Sequence, residues 1–166
     1  MDTVYIETSI VSHASARPSS DVQIAAIQQQ ARQWWSTERT NFDLVTSQLV
    51  IDEAFAGDES AAEERLKMLD GIPTVPIDEN VRTLAREIVS SSMMPQKAAA
   101  DALHVAAAAV AGIQYLLTLN CKHIANAHEL PRIYRLLDER GFGQLLICTP
   151  AEFLGGDSDN DQKSNS

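Results

Sequence analysis

The chain has 166 residues, of which 45% are hydrophobic, and its formal net charge of −10 at pH 7 fits one acidic globular domain. That charge argues against tight, nonspecific binding of a phosphate backbone by the chain alone, but it does not exclude a nuclease whose acidic site is neutralised by divalent cations. The two cysteines are too few for a disulfide framework and no apolar window is long enough to span a bilayer, so we expect a cytoplasmic protein that does not enter membranes.

The first predicted strand, Val4–Ile6, is a short β-branched and aromatic run that leads into a carboxylate and two hydroxyls at Glu7, Thr8 and Ser9. In an open parallel sheet, ligands bind at the carboxyl ends of the strands. Glu7 has no basic neighbour in sequence, so it is a candidate metal ligand. The alternative is that Glu7 only ends the strand at the surface or caps the following turn. We interpret His13–Pro18 as a polar loop.

The rest of the chain alternates between helix-like and strand-like segments. We predict helices over about 20–36, 48–56, 58–69, 78–90, 97–111 and 133–140, and strands over 42–46, 71–76, 114–119 and 145–148. A linker is expected at 90–95, a helical turn at 124–127 and a helix start at 149–152. This alternation predicts a three-layer α/β/α sandwich with a central, mostly parallel sheet of four to five strands. We expect one domain, 1–154, followed by a disordered tail at 155–166.

The helix over 20–36 has apolar residues along one side, from Val22 at its start to Trp34 and Trp35 near its end. We interpret the tryptophan pair as packing rather than as a platform for nucleic-acid bases, because both lie on that apolar face.

The alanine-rich helix over 97–111 carries Asp101 and His104, which are three residues apart and therefore share a face. A charged aspartate on a face suited to close packing is costly unless it is paired or bound to a metal. We interpret His104 as a hydrogen-bonding residue beside the site, because an imidazole has no role in binding a hard cation.

Four polar side chains are expected to meet at one rim of the sheet. Glu7 follows the first strand, Glu53 lies on the helix after the second, Asp101 lies on the helix before the fourth, and Asn120 follows that strand. Carboxylate and carboxamide oxygens select Mg²⁺ or Mn²⁺ over zinc. The alternative for Glu53 is an ordinary solvated acid on a helix surface.

Four segments in this order carry a family resemblance: Tyr5–Ser9, Ser47 with Val50–Phe55, Asp101–Ala106 and Leu117–Ile124. Together they resemble the PIN domain family, and more narrowly the VapC-type toxin ribonucleases of type II toxin–antitoxin systems. The resemblance covers about residues 1–154. It implies a PIN-like fold, a site for Mg²⁺ or Mn²⁺, hydrolysis of RNA phosphodiester bonds, a small antitoxin partner and a homodimer.

Carried over by position, the resemblance implies that Glu7, Glu53 and Asp101 are the family's three acids, and Asn120 falls where many members have a fourth. Glu7 and Asp101 would be direct metal ligands, and Glu53 would bind the metal directly or through water, or orient the nucleophile. Asn120 would hold a water or the substrate. Side chains expected to support the site or touch the substrate are Thr8, Ser9, His104, Lys122 and His123.

Two departures from the family pattern keep a second hypothesis open. The first acid is usually aspartate, so Glu7 is one methylene longer, and Asn120 lacks the charge of a fourth acid. The alternative is therefore a catalytically weak or inactive PIN-like module that binds RNA or a protein partner. A phosphoryl-transfer enzyme with an aspartate nucleophile is less favoured, because Glu7 occupies the place where that aspartate is needed.

Overall fold

The computed structural model describes residues 1–91 and 98–154, which contain five β-strands and seven α-helices. The strands are β1 (Thr3–Ile6), β2 (Asp43–Ser47), β3 (Thr74–Val75), β4 (Tyr115–Leu117) and β5 (Leu146–Cys148). The helices are α1 (Thr8–Ser15), α2 (Val22–Thr37), α3 (Gln48–Phe55), α4 (Glu59–Leu69), α5 (Glu79–Ser91), α6 (Ala99–Val110) and α7 (Leu130–Glu139). The expected tail at 155–166 and most of the expected linker at 90–95 lie outside the described residues. Within those described ranges, no helix is long and apolar enough to cross a membrane.

The sheet is parallel throughout, with the strand order β3-β2-β1-β4-β5. Successive side chains of a strand point to opposite faces, and Val4, Tyr5 and Ile6 of β1 are all fully buried, so both faces of the sheet are covered. Helix α1 packs against α2, α3 and α4, and α5 packs against α6 and α7. The predicted three-layer α/β/α sandwich is therefore confirmed, and β3, which Pro73 and Pro76 flank, lies at one edge of the sheet.

The strand order reverses at β1. The chain leaves β1 for β2 on one side and later returns to β4 on the other side. In open α/β sheets the ligand crevice lies at such a reversal, which here is beyond the carboxyl ends of β1 and β4. Ile6 pairs with Leu117, and the backbone N–H of Glu7 donates to the carbonyl of Leu117 at 3.2 Å, so the pairing continues by one residue. This register places Glu7 beside Thr118.

Helix α6 lies close to its neighbours because most of its inward side chains are alanines. Ala102, Ala106 and Ala107 are fully buried within this helix. Small side chains permit close packing and favour helix intrinsically. The helix ends before Gly112, whose φ of 71° is the left-handed conformation that glycine adopts most readily. This packing fixes the positions of Asp101 and His104 along the neighbouring strands of the sheet.

The expected loop at His13–Pro18 is wrong in its first part, because helix α1 runs from Thr8 to Ser15. The β-branched residues at its start resemble a continuation of the first strand. The Glu7 side chain accepts a hydrogen bond from the backbone N–H of Ser9 and so caps the helix.

Two further details differ from the sequence-based expectation. Val22 is 83% exposed, because α2 reaches the core only with its later turns, where Ala31 and Trp34 are fully buried. Residues 124–127 form an irregular turn segment rather than the expected helical turn. Helix α7 begins at Leu130 rather than near residue 133. Pro131 is tolerated in its first turn, where the backbone N–H groups have no partner within the helix.

Candidate active site

The crevice at the carboxyl ends of β1 and β4 is lined by acids from three different parts of the chain. Glu7 follows β1, Glu53 lies on α3, and Asp101 lies in the first turn of α6. Asn120 follows β4 and is hydrogen-bonded to Asp101. The structure therefore brings all four predicted site residues to the same rim.

Glu7 is a buried carboxylate, with only 5% of its surface exposed. Its Oε2 atom accepts hydrogen bonds from the Ser9 backbone N–H at 3.0 Å, from the Thr118 hydroxyl at 2.8 Å, and from the Ser9 hydroxyl. Glu7 does cap a helix, as one alternative held, but it does so from inside the protein. Its hydrogen-bond donors are hydroxyls and an N–H group rather than a basic side chain.

Glu53 is held from two sides rather than standing free on a helix surface. Its Oε1 atom accepts hydrogen bonds from the Thr8 hydroxyl and from Nε2 of His104, each at 2.6 Å. Burial by itself raises the pKa of Glu53, but the hydrogen bonds from His104 and Thr8 act in the opposite direction, and the pKa is lowered. Thr8 thus holds the Glu53 carboxylate.

Asp101 is half-buried, and burial raises its pKa. The positive charges that His123 and His104 can carry act in the opposite direction, while the negative charges of Glu7 and Glu53 raise the pKa further. Asp101 therefore interacts electrostatically with both of the other acids. A proton or cation bound beside Asp101 relieves its repulsion from both.

Asn120 connects Asp101 to the following turn. Its Nδ2 atom donates to Oδ1 of Asp101 at 3.2 Å, and its Oδ1 atom accepts from the backbone N–H of His123 at 3.1 Å. An ionised aspartate at this position would have no proton to donate to Asp101. In the same turn, Lys122 is exposed and His123 is half-buried at the rim.

Three hydroxyl groups that are not predicted from the sequence also form hydrogen bonds at this site. Thr118 is fully buried and bonds to Glu7, and the Tyr5 hydroxyl lies 2.9 Å from Nδ1 of the buried His104 and 2.6 Å from Oγ of Ser47. The available signal was positional. Tyr5 precedes Glu7 by two residues and so shares its face of the strand, while Ser47 and Thr118 stand at the ends of the two strands beside β1.

The donor set fits a hard divalent cation that keeps part of its water shell. Among the described residues, hydrogen bonds engage Oε2 of Glu7, Oε1 of Glu53 and Oδ1 of Asp101, and the second oxygen of each carboxylate accepts none. Within residues 1–91 and 98–154, no three His, Cys, Asp or Glu side chains lie close enough together to hold one ion directly. Mg²⁺ commonly takes only one or two carboxylates and completes its shell with water and substrate phosphate.

Comparisons with known proteins point in one direction. A family model described as "PIN domain" matches residues 4–135. The crystal structure of VapC20 from Mycobacterium tuberculosis, described as a sarcin-ricin loop cleaving toxin, superposes with a TM-score of 0.55 at 15% sequence identity. That match covers 72% of this chain and 91% of the VapC20 chain. Among curated proteins, no sequence matches this chain significantly.

Proposed function

Since this chain belongs to the PIN domain family, we propose that it is a divalent-metal-dependent endoribonuclease that hydrolyses phosphodiester bonds in RNA. The observation that carries the proposal is the set of three carboxylates at the crevice, each with one oxygen held by hydrogen bonds and the other accepting none among the described residues. Such carboxylates are suited to bind Mg²⁺ or Mn²⁺ through single oxygens.

Each acid has a distinct part in the proposed reaction. Glu7 and Asp101 would hold the cation directly, and Glu53 would bind it through water or orient the attacking water. When bound there, a divalent cation would supply the positive charge that polarises a phosphate oxygen and activates a water molecule for attack. The hydrogen bonds on Glu7 from Ser9 and Thr118 fix the direction of its carboxylate before substrate arrives.

The turn after Asn120 would supply contacts to the substrate. Lys122 is exposed there and can approach an RNA phosphate, and His123 lies close enough to Asp101 to influence its pKa. Asn120 would keep Asp101 in place through its amide, and it would also contact the attacking water or the RNA phosphate. Positive charges at this rim matter more than usual, because the chain as a whole carries a formal charge of −10.

The biological setting we propose is that of a toxin in a toxin–antitoxin pair, acting as a homodimer in the cytoplasm. The fold shared with VapC20 supports this setting. A small antitoxin would inhibit the enzyme by covering the acidic crevice, and the strongly acidic chain would favour a partner with a basic segment. A neighbouring gene for a small DNA-binding protein would support the assignment.

The direct test is cleavage of a labelled single-stranded RNA by the purified chain in Mn²⁺ or Mg²⁺, with and without EDTA. Asp101→Asn should slow metal-dependent cleavage by about 100-fold or more, since it removes the charge of a proposed direct ligand. Asp43→Asn is the matched control, because Asp43 is exposed at the amino end of β2, and the crevice lies at the opposite end of the strands. Equal activity of the Asp101→Asn and Asp43→Asn variants would contradict the proposal.

A second candidate is a PIN-like module that binds RNA or a protein without cutting. The observations that favour it are the near-complete burial of Glu7, the amide at Asn120 in place of an acid, and the lack of a directly ligating group of three acids among the described residues. In that case the wild-type chain binds RNA in gel-shift assays, and neither Mn²⁺ nor EDTA changes the length of the RNA.

A further inference from the structure

A chain of buried hydrogen bonds runs behind Glu53. Its members are Ser47, Tyr5 and His104, all of them fully buried. The Ser47 and Tyr5 hydroxyl oxygens are 2.6 Å apart, the Tyr5 hydroxyl is 2.9 Å from Nδ1 of His104, and Nε2 of His104 is 2.6 Å from Oε1 of Glu53. Three polar side chains in the interior of so small a protein are costly unless every donor and acceptor is used.

One arrangement of protons satisfies this whole series of hydrogen bonds. Oγ of Ser47 accepts from the backbone N–H of Val50 and can donate its own proton to Tyr5. Tyr5 can then donate to Nδ1 of His104, and Nε2–H of His104 donates to the Glu53 carboxylate. With a neutral imidazole protonated only at Nε2, every polar side-chain atom of Ser47, Tyr5 and His104 has a hydrogen-bond partner.

We propose that His104 is a positioning residue which, as this neutral tautomer held by Tyr5 and Ser47, holds Oε1 of Glu53 so that Oε2 alone faces the crevice. The inference rests on the proposed function, since it assigns the held carboxylate to the metal-dependent site. A free glutamate side chain samples many rotamers and loses that freedom when it binds. The contact with His104 removes that freedom in advance, because the imidazole is itself fixed from its other side.

The position of His104 supports this role over simple filling of the core. It lies on the alanine-rich face of α6, where a small apolar side chain would pack without needing hydrogen bonds. It also spans elements that are far apart in sequence, since it joins Tyr5 on β1 to Glu53 on α3. Replacing this imidazole therefore releases Glu53, even though His104 itself does not reach the crevice.

Tyr5→Phe tests the proposal with a minimal change, since it removes the hydroxyl and keeps the ring. The matched control is Tyr134→Phe, because the Tyr134 hydroxyl also makes two hydrogen bonds, to the backbone of Ile147, but lies away from the crevice. Two quantities are measured: the His104 tautomer by ¹⁵N NMR without metal, and Mn²⁺ affinity by calorimetry. We expect Tyr5→Phe to mix the tautomers and weaken Mn²⁺ binding by about 10-fold, and Tyr134→Phe to change neither.

A second pair of variants keeps the test informative if Tyr5→Phe folds poorly. His104→Gln retains an amide donor near the place of Nε2, and His104→Leu does not, so Mn²⁺ affinity should be higher in the glutamine variant. Equal Mn²⁺ affinity of wild type, Tyr5→Phe and His104→Leu would overturn the proposal. A wild type with the expected tautomer that binds no Mn²⁺ and cuts no RNA would overturn the proposed function, while the hydrogen-bonded chain would stand.

Discussion

Removing the Thr118 hydroxyl tests how the crevice is held together. Thr118 is fully buried, and Thr118→Val keeps its shape while deleting one oxygen. The Thr118 hydroxyl donates to the Glu7 carboxylate at 2.8 Å and accepts from the backbone N–H of Asn120 at 3.0 Å. The substitution therefore leaves a buried carboxylate with one donor fewer and a backbone N–H without its acceptor.

The expected cost follows from the charge of the lost partner. A hydrogen bond to a charged group contributes about 1.5–3 kcal/mol, and a neutral one about 1 kcal/mol. Glu7 keeps its two hydrogen bonds from Ser9. Adding the charged and the neutral hydrogen bond that are lost, we expect Thr118→Val to lose about 3 kcal/mol of the free energy of unfolding. For a chain of this size, that loss lowers Tm by about 6–12 °C.

Thr46→Val is the matched control for Thr118→Val. Thr46 is also fully buried at the end of a neighbouring strand, but its hydroxyl donates to a neutral acceptor, the carbonyl of Ile6, at 3.1 Å. We expect it to lose about 1 kcal/mol, or about 2–4 °C in Tm. Both variants are measured by urea unfolding in EDTA, followed by tryptophan fluorescence. If they lose the same free energy, Glu7 is not stabilised as a buried charge and the reasoning is wrong.

Two further predictions concern pH and the remaining acids. Burial raises the pKa of Asp101 above its usual value of 3.8, so the stability of the wild type falls as pH rises from 3.8 through the folded pKa. Asp101→Asn carries no such charge and should therefore be more stable than wild type at neutral pH in EDTA, as measured by thermal unfolding. A lower stability of this variant than of Asp43→Asn would contradict that sign. His104 and Thr8 lower the pKa of Glu53 below its usual value of 4.5 despite burial. The stabilisation from Glu53 is therefore fully present above pH 4.5 and is lost as pH falls through the folded pKa. The stability difference between wild type and Glu53→Gln, from urea unfolding across this range, should shrink in acid, and a difference that is constant with pH would refute the assignment.

Much of the fold could be predicted because its signals are local. The alternation of short apolar strands with amphipathic helices predicts a parallel, three-layer sandwich, and Gly112 marks the end of α6 where a left-handed residue is needed. Helix α1 was missed because β-branched Ile10 and Val11 resemble strand residues and because its cap is supplied by Glu7, a residue with another role. Propensity alone cannot separate these cases, since tertiary packing decides them.

The site was predictable only in part, for a similar reason. Glu7, Glu53 and Asp101 could be selected because an acid at the end of a strand, or on an alanine-rich helix, is anomalous by residue type. Thr118 and Tyr5 carry no such anomaly. The role of Thr118 depends on the register that sets Glu7 beside it, across 111 residues of chain, and no local pattern encodes a register of that span.

Glu7 and Asn120, the two departures from the usual family pattern, both affect how negative charge in the crevice is balanced. The charge of Glu7 is stabilised by donors from Ser9 and Thr118, and Asn120 donates to Asp101 where an aspartate would repel it. Two unit charges about 4 Å apart repel by about 4 kcal/mol at an effective dielectric constant of 20. The Asn120 amide lies 3.2 Å from Oδ1 of Asp101, so a fourth charge there would add repulsion of that order in the absence of a second cation. The amide instead lets the crevice stay assembled with three acids, and under the proposed function this favours a site that takes one cation at a time.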